Sequence, residues 1–356
     1  MFSQWIYGDS PTTWALLVEM LIPGLIVVLA GSKLTRLADR LSDDLNLGSA
    51  WVGMLLLASV TSLPEVVAGC TAVWIENTSM AFAAIYGSCS FNVCIIVLVN
   101  AIIGGGSVLS GATATHRLTS ALGGGLITVS LIAIVLVDKF AADAPMAQGI
   151  ELGCIAVILV TYVSGLVMVH RFEARAMAAA TEVQPERTHP PMRLYGAVVV
   201  LSAMLVAASW WLAQVGDVLS DHPIDLIGGR TLGATFVGAA FLAVATSLPE
   251  IVTSYAAVKL GNVNLALGNI FGSNMFNIFV IPFLKGVSLA RGDTLLMHGA
   301  DFQLQQATIA GLLPLLLTAI AMAGLTYHTR RRLFRFGFDS ILIATVYALG
   351  MFLLLA

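Results

Sequence analysis

The feature that most constrains the fold is a succession of about ten apolar stretches, each long enough to cross a bilayer as a helix. A hydrocarbon core about 30 Å thick needs about 20 helical residues. Only 10% of the residues are charged, against about 25% in a typical soluble domain, so a soluble fold is excluded. We predict an all-α integral membrane protein with spans near residues 12–31, 49–75, 80–102, 117–137, 148–169, 194–213, 231–258, 264–284, 303–325 and 337–356.

Two parts of the chain carry the same motif, 185 residues apart. The stretch Ala58-Ser-Val-Thr-Ser-Leu-Pro-Glu65 recurs as Ala243-Val-Ala-Thr-Ser-Leu-Pro-Glu250. Downstream, Gly-Ser-x-x-Phe-Asn ends at Asn92 in the first copy and at Asn277 in the second. An acid duplicated inside hydrocarbon indicates an ion site shared by two halves of a transporter.

The spacing of the two copies also predicts their orientation. The first copy lies on spans 2 and 3 and the second on spans 7 and 8, so an odd number of spans separates them and they enter the membrane in opposite directions. We therefore predict two inverted five-helix repeats, residues 1–170 with motif 58–92 and residues 194–356 with motif 243–277. A polar cytoplasmic linker at 171–193 joins them.

Each motif places a proline and a glutamate near the middle of an apolar stretch. Pro64 and Pro249 lack a backbone donor and should break their helices, which leaves carbonyls near Ala58 and Ala243 in need of partners. The Ser-x-x-Glu pattern is also that of a capping box, in which the glutamate only satisfies backbone donors at a helix start. Ion ligation is favoured because a carboxylate inside the bilayer costs at least ~2.5–3.5 kcal/mol, and this chain has two.

The oxygens of the two motifs suit a hard cation. Calcium takes six to eight oxygen ligands, whereas no cluster of His and Cys suggests a softer metal. The predicted calcium ligands are Glu65, Asn92, Glu250 and Asn277. The predicted sodium ligands are the carbonyls of Ala58 and Ala243 and the hydroxyls of Thr61, Ser62, Ser88, Thr246, Ser247 and Ser273.

At these residues the chain resembles the calcium/cation antiporter superfamily, most closely its sodium/calcium exchanger branch. That family has two inverted repeats reading Gly-Thr-Ser-x-Pro-Glu and Gly-Ser-Asn-x-x-Asn or Asp on a ten-helix fold. The resemblance implies the same calcium and sodium ligands, and a first and sixth helix, here about 12–38 and 193–215, that slide to alternate access. This chain departs from the pattern at Val60 and Ala245, where glycine is usual, and at Cys89, where asparagine is usual.

The leading functional hypothesis is a secondary active antiporter that exchanges sodium for calcium. Asn277 stands where potassium-dependent relatives have aspartate, so we expect no potassium requirement. One alternative is a proton-coupled antiporter of calcium or another divalent cation, with Glu65 and Glu250 as the carriers; a second is a cation channel. No nucleophile–base pattern indicates an enzyme. We expect no cofactor, no nucleic acid and no protein partner, only the bilayer and the transported calcium and sodium ions.

The distribution of basic residues predicts the orientation in the membrane. With ten spans and both termini outside, the inner loops hold thirteen Lys and Arg residues and the outer loops four, which is the bias that the positive-inside rule describes. We predict a multi-pass protein of the plasma (inner) membrane with residues 171–193 in the cytoplasm. Glu19, Glu151 and Asp339 lie near the ends of predicted spans and are expected to face headgroups or loops.

Overall fold

The computed structural model describes residues 12–74, 78–103, 107–180, 190–221, 246–292, 295, 304–327, 332–333 and 336–355. Nearly all of them are helical. A two-residue antiparallel ladder, β1 Arg332–Leu333 with β2 Phe336–Gly337, precedes the last helix. The helices are α1 Thr13–Asp44, α2 Ser49–Thr61, α3 Leu63–Trp74, α4 Thr78–Ile103, α5 Thr115–Lys139, α6 Ala144–Ala180, α7 Met192–Asp221, α8 Leu248–Lys259, α9 Val263–Phe279, α10 Ile281–Ala290, α11 Leu304–Tyr327 and α12 Phe338–Leu355.

The helices confirm the predicted membrane architecture. Seven of the described spans are long and apolar enough to cross a bilayer, counting α9 and α10 as one, and an eighth is the bent pair α2 and α3. The final helix α12 is apolar but shorter. Every predicted span overlaps a described helix, although most of the span at 231–258 lies outside the described residues. The count of ten spans therefore stays a prediction.

The second predicted span is broken next to Pro64, as predicted. A π-helical turn at Gly53–Leu57 precedes the break, and α2 and α3 meet at an angle of 43°. Ser62, between them, has φ −91° and ψ 7°. Ser247 has nearly the same backbone angles, φ −89° and ψ 8°, so the helices that carry Glu65 and Glu250 begin alike.

Helix α9 forms the centre of the bundle. Every residue from Leu265 to Ile278 is buried, and α9 packs against α2, α4, α5 and α8. Its approach to α2 is unusually close, because a Cβ built at Gly268 would lie only 2.3 Å from the Ala50 carbonyl oxygen. A Cβ at Gly272 would lie 2.6 Å from the Met54 Cα. Small residues at these positions let the two backbones touch.

Part of the predicted linker is helical. Helix α6 continues to Ala180, so it extends ten residues into the predicted linker at 171–193. The extension places the Glu173 carboxylate at the start of α2, where it accepts hydrogen bonds from the backbone N–H groups of Ala50, at 3.1 Å, and Trp51, at 2.8 Å. Helix starts leave such donors unpaired and favour negative charge.

Three acids expected to face headgroups or loops are instead buried, and this expectation was wrong. Their exposed fractions are 5% for Glu19, 1% for Glu151 and 5% for Asp339. Each has a polar partner from a distant part of the chain: Trp211 donates to Glu19 at 2.9 Å, Lys285 pairs with Glu151 at 2.7 Å, and Ser107 bonds to Asp339.

Candidate ion-binding site

The α2–α3 break and the start of α8 face each other inside the bundle, and the polar residues of both motifs meet there. Four elements supply them: the α2–α3 break, the start of α8, and the middle turns of α4 and α9. The four predicted calcium ligands are almost inaccessible, with exposed fractions of 5% for Glu65 and 0% for Asn92, Glu250 and Asn277. The predicted hydroxyl ligands Thr61, Ser62, Ser88, Thr246, Ser247 and Ser273 are buried as well.

The serine of each Thr-Ser-Leu-Pro-Glu sequence bonds to the glutamate of the other motif. The Ser62 hydroxyl donates to Glu250 Oε1 at 3.1 Å, and the Ser247 hydroxyl donates to Glu65 Oε1 at 3.4 Å. Ser247 makes no side-chain bond to the start of its own helix. The serine half of the capping box is therefore not formed at α8, and the two halves of the site are joined by crossed hydrogen bonds.

The crossed bonds use only one oxygen of each carboxylate. Glu65 Oε2 and Glu250 Oε2 have no hydrogen-bond partner among the described residues, and the same holds for both amide atoms of Asn92 and Asn277. Buried polar atoms without partners are rare, and each costs free energy. These carboxylate and amide oxygens belong to the four residues predicted to bind calcium, and they are the ligand types that calcium takes.

Electrostatics favour a cation at the same place. The carboxylates of Glu65 and Glu250 are close enough to act on each other through their charges, and like charges repel strongly where water is excluded. Among the described residues, no group of three or more His, Cys, Asp and Glu side chains is placed to hold a metal. The site therefore combines two acids with neutral oxygens, a set that suits calcium or sodium better than a soft metal.

The predicted sodium ligands surround the glutamates. The Thr61 hydroxyl lies 3.4 Å from the Ala58 carbonyl oxygen and beside Glu250, while Ser88 lies beside Glu65. The Ala58 carbonyl accepts the Ser62 N–H at 3.0 Å. The second predicted carbonyl, that of residue 243, lies outside the described residues.

Cys89 occupies the position at which the two motif copies meet. Its thiol donates to the Asn274 carbonyl oxygen at 3.8 Å, and the Asn274 amide donates to the Cys89 carbonyl oxygen at 3.1 Å. These two residues are themselves 185 positions apart, so equivalent positions of the two copies bond to each other. The unusual cysteine thus keeps a contact between the repeats.

Sequence reasoning missed one residue of this region, Asn269. Its side-chain amide donates to the hydroxyls of Thr253, at 2.9 Å, and Ser254, at 3.1 Å, and its amide oxygen lies 3.4 Å from the Thr61 hydroxyl. The equivalent position in the first copy is Ala84, so the repeat did not reveal it. The only available signal was an amide inside an apolar helix, which in membranes commonly bonds between helices.

Comparison with known proteins identifies related membrane proteins. The family model described as "Sodium/calcium exchanger protein" matches residues 15–171 and 193–356. A relative from Alkalimonas amylolytica, "Putative antiporter CaxA", is 27% identical over 83% of this chain and 88% of its own length. "Inner membrane protein YrbG" of Escherichia coli is 26% identical over 75% of this chain and 78% of its own length.

A solved structure has the same fold. The sodium-calcium exchanger NCX_Mj, soaked with sodium and strontium, superposes with a TM-score of 0.60 over 94% of this chain and 97% of its own, at 17% identity. The fold, the duplicated motif and the family model, which spans both repeats, agree. The chain therefore belongs to the sodium/calcium exchanger family, whose members are cation antiporters.

Proposed function

We propose that this protein exchanges sodium for calcium across the membrane by alternating access. The observation that carries the proposal is the pair of glutamates at the centre of the bundle. Each is held by the serine of the opposite repeat, and each keeps a second carboxylate oxygen without a partner among the described residues.

One calcium ion would take its ligands from both repeats. Glu65 and Glu250 supply two negative charges, and Asn92 and Asn277 supply neutral amide oxygens. This set places a divalent charge against two carboxylates and gives partners to buried oxygens that otherwise have none. Water or backbone carbonyls would complete the six to eight ligands that calcium takes.

Sodium ions would occupy the same region with different oxygens. The hydroxyls of Thr61, Ser62 and Ser88, with their second-repeat counterparts Thr246, Ser247 and Ser273, lie around the two carboxylates. The carbonyls of Ala58 and Ala243 would add ligands. Since both ions use the same two acids, calcium and sodium compete, and one has to leave before the other is bound.

The shared acids explain why exchange is coupled. Two adjacent carboxylates without a cation repel each other in a low-dielectric interior, so the empty site resists rearrangement. One calcium ion or several sodium ions neutralise the pair and permit the change of access. The moving elements in this proposal are α1 and α7, which pack extensively against each other.

The proposed setting is the plasma (inner) membrane. Residues 1–170 and 194–356 form the two inverted repeats. Both termini lie on the outer side, and the connection within 171–193 lies in the cytoplasm, as the distribution of basic residues favours.

The test is radiolabelled calcium uptake by proteoliposomes that are loaded with sodium and diluted into choline or sodium buffer. We expect uptake only in choline, and none with Glu250→Gln. Asp44→Asn is the matched control, because it removes a carboxylate at the end of α1 that the site does not use. Uptake in both buffers would refute sodium coupling. Uptake driven by a pH gradient at constant sodium would then identify the proton-coupled alternative, and flux without any counter-ion would identify a channel.

A further inference from the structure

A second buried polar residue follows each candidate calcium-ligand asparagine by eight positions. Asn100 follows Asn92 within α4. Lys285, on α10, follows Asn277, on α9. Their exposed fractions are 0% and 3%. Asn100 and Lys285 are 185 residues apart, so they occupy equivalent positions in the two repeats.

Lys285 forms a buried ion pair across two helices. Its Nζ lies 2.7 Å from Glu151 Oε2, and the two side chains are 4% and 1% exposed. The pair joins α10 to α6, with Glu151 in the second and third turns of α6 and Lys285 in the middle of α10. Burying two charges costs desolvation energy that only good geometry offsets, and the ion site described above does not use this pair.

Asn100 makes the corresponding connection in the first repeat with neutral groups. Its amide donates to the Ser340 hydroxyl at 2.6 Å, and its amide oxygen accepts the Val108 N–H at 2.6 Å. The first bond joins α4 to the first turn of α12, and the second joins α4 to the short segment that follows it. In both repeats, therefore, a buried polar residue eight positions after a candidate ligand asparagine bonds to a helix of the opposite repeat.

The helix that Lys285 anchors is connected to two candidate calcium ligands, Asn277 through the chain and Glu65 through the packing of α10 on α3. Helix α10 follows Asn277 after a break at Val280, and Pro282 in its first turn has no N–H to continue the hydrogen-bond ladder of α9. The direction of α10 therefore depends on its neighbours.

Those neighbours connect α10 to Glu65. A Cβ built at Gly69 of α3 would lie 3.2 Å from Leu284 of α10, so the two helices are in close contact. Beyond the end of α10, the Arg291 guanidinium donates to the Trp74 carbonyl oxygen at the end of α3. Helix α3 begins two residues before Glu65, so α10 packs against the helix that carries that carboxylate.

We propose that the ion pair Glu151–Lys285 positions Asn277 and Glu65 for calcium. It holds α10 against α6, and through the contact of α10 with α3 it sets the distance between the two ligands. The inference rests on the proposed function for the identity of those ligands. Removing one charge leaves the other buried and unpaired, a state that the surrounding helices relieve by moving.

The test measures calcium binding directly, by equilibrium binding of radiolabelled calcium to the purified full chain, together with sodium-driven uptake. Glu151→Gln and Lys285→Met should each raise the apparent calcium Kd and the KM about tenfold, while the maximal rate changes less. Tenfold is the lower end of the effect of groups that orient metal ligands, because this pair acts through a helix. The double variant should raise the Kd no more than either single variant does, since both residues act as one unit.

The pair Arg40–Asp44 on α1, at 3.5 Å with an exposed Arg40 and a half-buried Asp44, provides the control, and Arg40→Gln should leave the Kd unchanged. Variants that melt at a lower temperature but bind calcium with the wild-type Kd would overturn the proposal, because the pair would then serve only stability. Effects that multiply in the double variant would also overturn it. If a single variant does not fold, the double variant, which buries no unpaired charge, tests the proposal instead. A Kd about tenfold higher than the wild-type value would support the proposal, and the wild-type Kd would overturn it. Normal calcium binding with no sodium-driven uptake would refute the proposed exchange alone, whereas a wild-type chain that binds no calcium would refute both.

Discussion

The close approach of α2 and α9 makes Gly268→Ala a sharp test of how the site is held. The new Cβ would lie 2.3 Å from the Ala50 carbonyl oxygen and 3.1 Å from the Ala50 Cα. Both are backbone atoms and cannot rotate away. Real Cβ contacts essentially never fall under 3.0 Å, so the two helices have to separate by about 0.7 Å.

Forced separation of packed helices has a predictable magnitude. Overpacking a well-packed interior costs typically about 1–3 kcal/mol, and alanine also gains helix propensity relative to glycine, by up to about 1 kcal/mol. Gly149→Ala removes this second effect from the comparison, because nothing lies within 4 Å of a Cβ at Gly149. The difference between the two variants therefore isolates the contact with Ala50.

The assay is the melting temperature of both variants in the same detergent, followed by sodium-driven calcium uptake. We expect Gly268→Ala to melt roughly 2–12 °C below Gly149→Ala, at about 2–4 °C per kcal/mol. Uptake should fall at least about tenfold, because the neighbouring Asn269 holds Thr61 and misplacements near 1 Å can cost on the order of a hundredfold. Equal melting temperatures and equal uptake would refute the backbone contact between α2 and α9.

Three further changes test other contacts. Ser247→Ala removes the donor to Glu65 and should weaken calcium binding about 10–100-fold. Ser164→Ala, on an exposed face, should leave calcium binding unchanged. Equal calcium affinities in the two variants would contradict the crossed bonds. Glu173→Ala removes the acceptor at the start of α2 and should lower the free energy of unfolding by about 0.5–2 kcal/mol; an unchanged melting temperature would contradict that role. Calcium at a hundred times its Kd should stabilise the wild type by about 2.7 kcal/mol and leave Glu250→Gln unaffected; a similar shift in both would place the ion elsewhere.

The spans, the helix break and the gathering of the motif residues could be predicted from sequence because each depends on local signals. Apolar length fixes a span whatever its neighbours are. Pro64 breaks its helix by its own chemistry. The repeat then places Glu65 opposite Glu250, since two copies inserted in opposite directions meet near the midplane.

The partners of the buried acids could not be predicted in this way. Glu151 lies near the start of its span, which favours a headgroup position, but its cation is 134 residues further along the chain. Glu19 depends in the same way on Trp211, 192 residues away. The choice between a capping box and crossed bonds was also beyond local reasoning, because Ser62 can reach either its own helix or the opposite glutamate, and only the packing of the two repeats decides.

The crossed bonds have a consequence for how the chain is made. Ser247 follows Glu65 by 182 residues, and a ribosome adds about 5–20 residues per second. Glu65 is therefore synthesised about 9 to 36 seconds before Ser247. During that interval the first repeat alone has to retain an acid whose insertion costs at least ~2.5–3.5 kcal/mol. Glu250 differs from Glu65 in this respect, because its donor Ser62 has already been synthesised when Glu250 leaves the ribosome.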